Sequence, residues 1–301
     1  MSDTIISVKN LTKQYHAEQS GGIKNISFDI TKGDVVAIIG ESGSGKSTLL
    51  KSIYGLLKVD EGEIFFENEK VKGPDEELIP GHKQMKMVTQ DFSLNIYAKV
   101  YDNIASQLSN TDLKSKADKT IAIMEHLRIL PLQNKKIIEL SGGEQQRVAI
   151  AKAMVADTKV LLLDEPFSQV DALLKNQLRA DIKRVAAETG VTVILVSHDP
   201  ADGLFLADQL LIVRNGELLQ TGKPSEIYQH PKHIYTAQIL GNAVVLARGD
   251  AEKIGLKTFS ANVVFYPEWA EINSNWSSRR FEVKDVIIKV FMTNCYWSAT
   301  A

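Results

Sequence analysis

The chain has 301 residues, 44% of them apolar and 24% charged, the composition of a soluble globular protein of roughly two domains. A formal charge of −2 argues against nucleic acid as a partner, and the single cysteine, Cys295, excludes an intrachain disulfide framework and fits a reducing compartment. No apolar run approaches the roughly 20 residues that cross a bilayer, and the N-terminus lacks the basic-then-apolar pattern of a signal peptide.

In chain order, residues 5–9 and 26–30 read as strands of a small antiparallel layer, which 63–67 joins later. Residues 35–39 (Val-Val-Ala-Ile-Ile), 160–163 and 191–196 are short, continuous runs of branched apolar residues. Such runs suit parallel strands covered on both faces. Amphipathic stretches at 144–156 and 172–188 supply the crossover helices that a parallel sheet requires. Residues 91–139 carry helical patterns at 102–108 and 115–129 and read as a helical insertion. Past residue 240, aromatic and β-branched residues alternate with turns at 262–267 and 281–291, as in a small all-β appendage. The expected fold is therefore α/β, with a mixed sheet and a helical subdomain at about 91–155, over residues 1–239. A small, apparently incomplete β barrel-like domain follows at 240–301.

The segment Gly40-Glu41-Ser42-Gly43-Ser44-Gly45-Lys46-Ser47-Thr48 fits G-x-x-x-x-G-K-[ST], directly after a strand and before the apolar Leu49, Leu50 and Ile53. Gly40, Gly43 and Gly45 allow a tight loop whose N–H groups converge on an anion, and the following helix adds its positive dipole end. Lys46 is placed to neutralise the β- and γ-phosphates of ATP, and Ser47 to ligate Mg2+. A plain Gly/Ser turn lacks this strand-before, helix-after context. Asp164 ends the strand at 160–163, where a carboxylate can hold Mg2+ through water. Glu165 follows at once and can polarise the attacking water as a general base. A helix N-cap at Asp164 is the plainer alternative, but it leaves the second acid unexplained.

The string Leu140-Ser141-Gly142-Gly143-Glu144-Gln145-Gln146-Arg147-Val148-Ala149-Ile150-Ala151 resembles the signature of ABC-type ATPases, with Glu144 where Gln is common. Other positions resemble that family in the expected order. Gln90 matches the glutamine that reaches the metal and links nucleotide to the helical subdomain. His198 matches the histidine that contacts the γ-phosphate, and Tyr15 the aromatic that stacks on adenine. Ser168-Gln169-Val170-Asp171 occupies the place of the dimer-contact loop, with Asp171 at the family position. The resemblance covers residues 5–235. It implies a homodimer in which ATP lies between the phosphate loop of one subunit and Ser141, Gly142 and Gly143 of the other.

Two classes of ABC ATPase fit, a transporter subunit and a soluble non-transport ATPase. The long coiled coil and the second ATPase half of the soluble members are missing from the sequence. An exporter-type ATPase is the closer competitor. Gly222-Lys223-Pro224-Ser225-Glu226-Ile227-Tyr228-Gln229-His230-Pro231 resembles a segment of importers for polyamines, ferric iron, sulfate or sugars. Phe265-Tyr266-Pro267-Glu268 resembles the Arg-Pro-Glu motif of their regulatory domain, with Tyr266 in place of Arg. Membership of that group implies transmembrane permease subunits, indirectly a solute-binding protein, and a peripheral position on the cytoplasmic face of the cell membrane. Residues 292–301 lack strand alternation, whereas the frame starting one base earlier, at the last base of the Phe291 codon, encodes an apolar strand. A frameshift is the expected reading of that ending.

Overall fold

The computed structural model describes residues 3–15, 22–168, 170–253 and 262–266. The chain divides into two compact units, Met1–Pro224 and Ser225–Ala301.

In the first unit, β1 (Thr4–Lys13), β2 (Ile23–Thr31), β4 (Glu61–Phe66) and the short β5 (Glu69–Lys70) form an antiparallel sheet in the order β2-β1-β4-β5. Alternation along β2 buries Ile26, Phe28 and Ile30 and exposes the residues between them, as one covered face requires. The second sheet contains β3 (Val35–Ile39), β6 (Met85–Val88), β7 (Val160–Asp164), β8 (Thr192–Ser197), β9 (Gln209–Arg214) and β10 (Glu217–Gly222). Its order is β10-β9-β3-β8-β7-β6, parallel except for the β9–β10 hairpin at one edge. Every residue of β3 and β8 is buried, which explains their uninterrupted apolar runs. One core joins the sheets, with Leu49, Leu50 and Ile53 of α1 (Lys46–Tyr54) packed among Ile26, Ile30, Val36, Ile38 and Ile194.

The segment after β6 is helical, as its periodicity predicts: α2 (Val100–Ala105) and α3 (Leu113–His126) pack with α4 (Gly142–Met154). Helix α3 stops short of 129 because Arg128 takes a left-handed φ of 56°. Then come α5 (Ala172–Thr189), ended by the left-handed Gly190, and α6 (Pro200–Leu206), capped by the Asp199 side chain on the Ala201 N–H.

The second unit is built from α7 (Pro224–Gln229), α8 (Ile234–Gly241), β11 (Val244–Ala247), α9 (Arg248–Lys253) and β12 (Asn262–Phe265). Strands β11 and β12 pair antiparallel, with Val244 opposite Phe265. Tyr266 is 1% exposed against Ala237 and Ala243, and its ring stacks on Tyr228 at 4.3 Å and 6°. Burial pushes its phenol up to about 12. The expected strand at 281–291, the Pro267-Glu268 half of the regulatory motif and the 292–301 ending lie outside the described residues.

A Cβ at Gly241 stands 2.5 Å from the Tyr266 ring, which is buried on every side. Gly241→Ala is expected to destabilise this unit by about 1–3 kcal/mol through overpacking. Urea unfolding followed by tyrosine fluorescence measures it; an unchanged midpoint refutes the packing.

Candidate active site

The loop at 40–45 leaves the C-terminal end of β3, at the centre of the parallel sheet, and turns into α1. Gly45 caps α1 at φ 99° without a side-chain cap bond, an open helix N-terminus of the kind that suits an anion. A Cβ on Gly45 falls 2.6 Å from the Gly22 carbonyl, so glycine is required by space as well as by φ. The loop is braced from behind: the Gly216 N–H, in the β9–β10 turn, donates to the Ser44 carbonyl at 3.0 Å. Ser42 and Gly43 are exposed at the tip, while the Ser44 hydroxyl is buried without a partner among the described residues. Such an oriented, orphaned hydroxyl fits an anion cradle.

Lys46 is 6% exposed, and its ammonium donates to the carbonyls of Gly40 at 2.8 Å and Glu41 at 2.9 Å. Burial pushes its pKa down, and the carboxylates of Glu165, Asp164 and Glu41 oppose that shift. The Ser47 hydroxyl donates to Asp164 Oδ1 at 2.9 Å, across from the end of β7. Thr48 is buried in the first turn of α1.

Glu165 sits at φ 50°, and its N–H donates to the Val196 carbonyl of β8 at 3.1 Å. That left-handed turn carries its carboxylate to 2.8 Å from His198 Nδ1. The phosphate loop, Asp164, Glu165 and His198 therefore gather at the C-terminal ends of adjacent strands, where open α/β sheets bind ligands. Among the described residues, no cluster of three His, Cys, Asp or Glu side chains forms a protein-only metal cage. Ser47 and Asp164 are instead a sparse set of hard oxygen donors. This suits Mg2+, which keeps much of its water and takes phosphate oxygens.

Behind His198 lies a buried ionic network that sequence reasoning did not find. Arg179 of α5 donates through Nε to Asp202 Oδ1 at 2.8 Å and through Nη2 to Asp199 at 3.2 Å. The Ser197 hydroxyl donates to the other Asp202 oxygen and accepts from the Asp199 N–H. Burial pushes the Asp202 pKa up, against the hydrogen bonds from Ser197 and Arg179 that lower it. The available signal was an Arg on the inward face of an amphipathic helix, which needs an acid opposite it.

The remaining predicted residues lie elsewhere on the first unit. Gln90 is exposed just past β6. Tyr15 is half-buried after β1, with the Lys13 ammonium 5.9 Å from its ring centre. Ser141 caps α4 in a reciprocal capping box, its N–H donating to Glu144 Oε2 at 2.8 Å. Glu144 therefore has a local task that its carboxylate performs well. Gly142 and Gly143 form the first turn of α4, and exposed Asp171 precedes α5 without a side-chain cap bond. Gln169 lies outside the described residues.

A phosphate loop, a paired Asp-Glu and a histidine on a mixed sheet with a helical subdomain define a P-loop ATPase. The ABC transporter family profile matches residues 23–168. The chain is 37% identical over 256 residues to the spermidine/putrescine import ATP-binding protein of Mycoplasma capricolum, covering 83% of this chain and 70% of that one. It is 33% identical to the sn-glycerol-3-phosphate import ATP-binding protein of Vibrio cholerae, covering 90% and 72%. Among solved structures, a subunit of the cbiONQ ABC transporter complex of Clostridium perfringens superposes at TM-score 0.68 with 26% identity, over 79% and 95%. A dimeric ATP-binding cassette holding ADP and phosphate after hydrolysis gives 0.62 and 27%, over 73% and 99%. The chain belongs to the ABC transporter ATP-binding family, and within it to the import ATPases.

Arg179 and Asp202 are 8% and 1% exposed at their side chains. Arg179→Ala leaves a buried carboxylate without its cation and is expected to cost about 3–5 kcal/mol. Chemical denaturation checks this; a loss below about 1 kcal/mol means that the network is solvated.

Proposed function

We propose that two copies of this chain bind two ATP–Mg2+ between them and hydrolyse them to drive a membrane importer. The observation that carries the reading is the Glu165–His198 pair at 2.8 Å beside the Ser47–Asp164 pair at 2.9 Å, both next to the phosphate loop. Within one chain, Ser141 bonds to its own helix, and α4 packs mainly on α2, α3, α5 and β6. This supports a site completed by the Ser141, Gly142 and Gly143 of a second copy, with Asp171 and Ser168 at the dimer contact.

In that site Lys46 and the loop N–H groups hold the β- and γ-phosphates, and Tyr15 stacks on adenine. Ser47, Asp164 and Gln90 are the residues that would hold Mg2+, which would supply charge neutralisation at the phosphate oxygens. Glu165 accepts the proton of a water whose oxygen attacks the γ-phosphorus as the bond to the bridging oxygen breaks, giving ADP and phosphate. His198 anchors Glu165 and donates toward the γ-phosphate. Loss of the γ-phosphate contacts shared by both subunits opens the dimer.

Permease subunits and, through them, a solute-binding protein complete the importer. The surface we assign to the permease is the turn after Gln90. Ile96, Tyr97 and Ile138 are 44%, 71% and 57% exposed there, and the Ile138 N–H donates to the Ile96 carbonyl. No helix among the described residues is long and apolar enough to cross a membrane; this reading puts the subunit on the cytoplasmic face through its permease partners. Relatives at similar identity carry polyamine, glycerol-phosphate and glucose import names, which fits a solute chosen by the permease and its binding protein. We assign residues 240–301 to the regulatory domain of this reading.

Glu165→Gln is expected to lower ATP turnover at least about a hundredfold while leaving a stable ATP-bound dimer. Turnover with size-exclusion chromatography in ATP tests it, and an unchanged rate removes Glu165 from the mechanism. Gln90→Ala is expected to keep ATP affinity within about twofold but to uncouple transport. Normal uptake by vesicles carrying that variant refutes the role.

A further inference from the structure

The turn that carries Gln90 is strained and held from outside. Phe92 and Ser93 take consecutive left-handed φ values of 61° and 46°, which neither side chain favours. The turn's own bonds are short-range: the Phe92 N–H donates to Thr89 at 3.0 Å and the Ser93 N–H to Asp91 at 2.8 Å. Farther on, the segment is fixed by buried Asn103 of α2, which accepts from the Asn95 N–H at 2.9 Å and donates to the Asn95 carbonyl at 3.0 Å. Between these points, one long-range side chain reaches in. Lys152, in the last turn of α4, donates from Nζ to the Ser93 carbonyl at 2.8 Å, across 59 residues of sequence.

The chemistry of Lys152 is unusual for a surface lysine. It is half-buried, and among the described residues no carboxylate forms an ion pair with it. Burial pushes its pKa down with no opposing acid. A lysine serving only the helix dipole would keep its ammonium in water beside the last α4 carbonyls. This one crosses to another segment, where an ammonium on a carbonyl makes a charge-assisted bond. The same helix begins at Ser141, Gly142 and Gly143.

We infer that Lys152 is a positioning residue that ties the Gln90 turn to the signature helix, so that turn and helix move as one body. The inference rests on the proposed ATPase reading and deepens it. A displacement of Gln90 on nucleotide binding is carried by the tie into α4, and so to Ser141, Gly142 and Gly143 at its start. Removing the tie slackens the strained turn and leaves the phosphate loop intact.

The test uses the full chain. Lys152→Met keeps the aliphatic stem and removes the ammonium. Its kcat is expected to fall about tenfold with KM for ATP within about twofold, and Lys152→Arg to recover most of the loss. Hydrogen exchange at the Phe92 and Ser93 amides is expected to quicken in Lys152→Met alone. Unchanged kcat and exchange overturn the inference. So does a loss of kcat that accompanies a lower Tm and a raised KM and is not recovered by arginine, the pattern of a merely structural lysine. A wild-type chain that hydrolyses no ATP refutes the ATPase reading instead, and the exchange comparison still decides the tie.

Discussion

A phosphate cradle must leave backbone N–H groups unsatisfied by the protein, and most of the first unit follows from that constraint. Donors that face a ligand cannot also be covered, so the loop has to be supported from beneath. Fully buried β3, flanked by parallel β8 and β9, supplies that support. The Gly22 and Gly216 backbones close on the loop so tightly that side chains are excluded there. Lys46 answers the other half of the problem. Two carbonyls hold its ammonium in place, with Glu165, Asp164 and Glu41 as its nearest opposing charges. A polyphosphate entering this site meets one buried cation among three carboxylates, an imbalance that the Mg2+ of the proposed reading would offset.

Legibility in the sequence tracked how local each signal was. Continuous apolar runs marked β3, β7 and β8, because strands buried on both faces need no polar residues. Short strand-like stretches marked β1, β2 and β4, of which β2 buries one face and exposes the other. The four-residue β6 was too short to register as a periodic element, although its register beside β7 is what brings Gln90 to the sheet end. The equally apolar β9 passed unread because nothing in its composition says that it returns to pair with β3 from the far side. In the site, phosphate loop and acids were legible as contiguous motifs. The Arg179–Asp202 pair was not, since it joins two helices 23 residues apart through side chains that are unremarkable in sequence.

Substitutions away from the family pattern turn out to be locally consistent. Glu144 closes a capping box around Ser141, a bond that a carboxylate accepts more strongly than a neutral amide. Tyr266 stands where the Arg-Pro-Glu motif that this segment resembles has an arginine. Here the position is buried under a stacked Tyr228 and beside Gly241, a setting that would penalise a guanidinium without an acid partner. Aromatic and glycine are thus matched to one another. Neither could change alone at small cost.

Helix α4, which Ser141 caps, is fixed along its length. Its first turn is closed by the Ser141–Glu144 box. One turn on, Arg147 reaches the buried Asp181 of α5 at 3.2 Å, where Arg184 and Arg128 also converge at 3.6 and 3.7 Å. Asp181 is only 2% exposed, so this contact between α4 and α5 is held inside the packed interface and helps to set their register. At the far end, Lys152 binds the Ser93 carbonyl. Two polar attachments along its 13 residues, one to α5 and one to the turn after Gln90, leave α4 little freedom to shift by itself. Motion of the groups at its N-terminus must therefore involve α5, which begins beside Asp171, or the turn that follows Gln90. Both are segments where ATP or a second subunit is expected to bear, so the attachments of α4 connect the two ends of the proposed cycle.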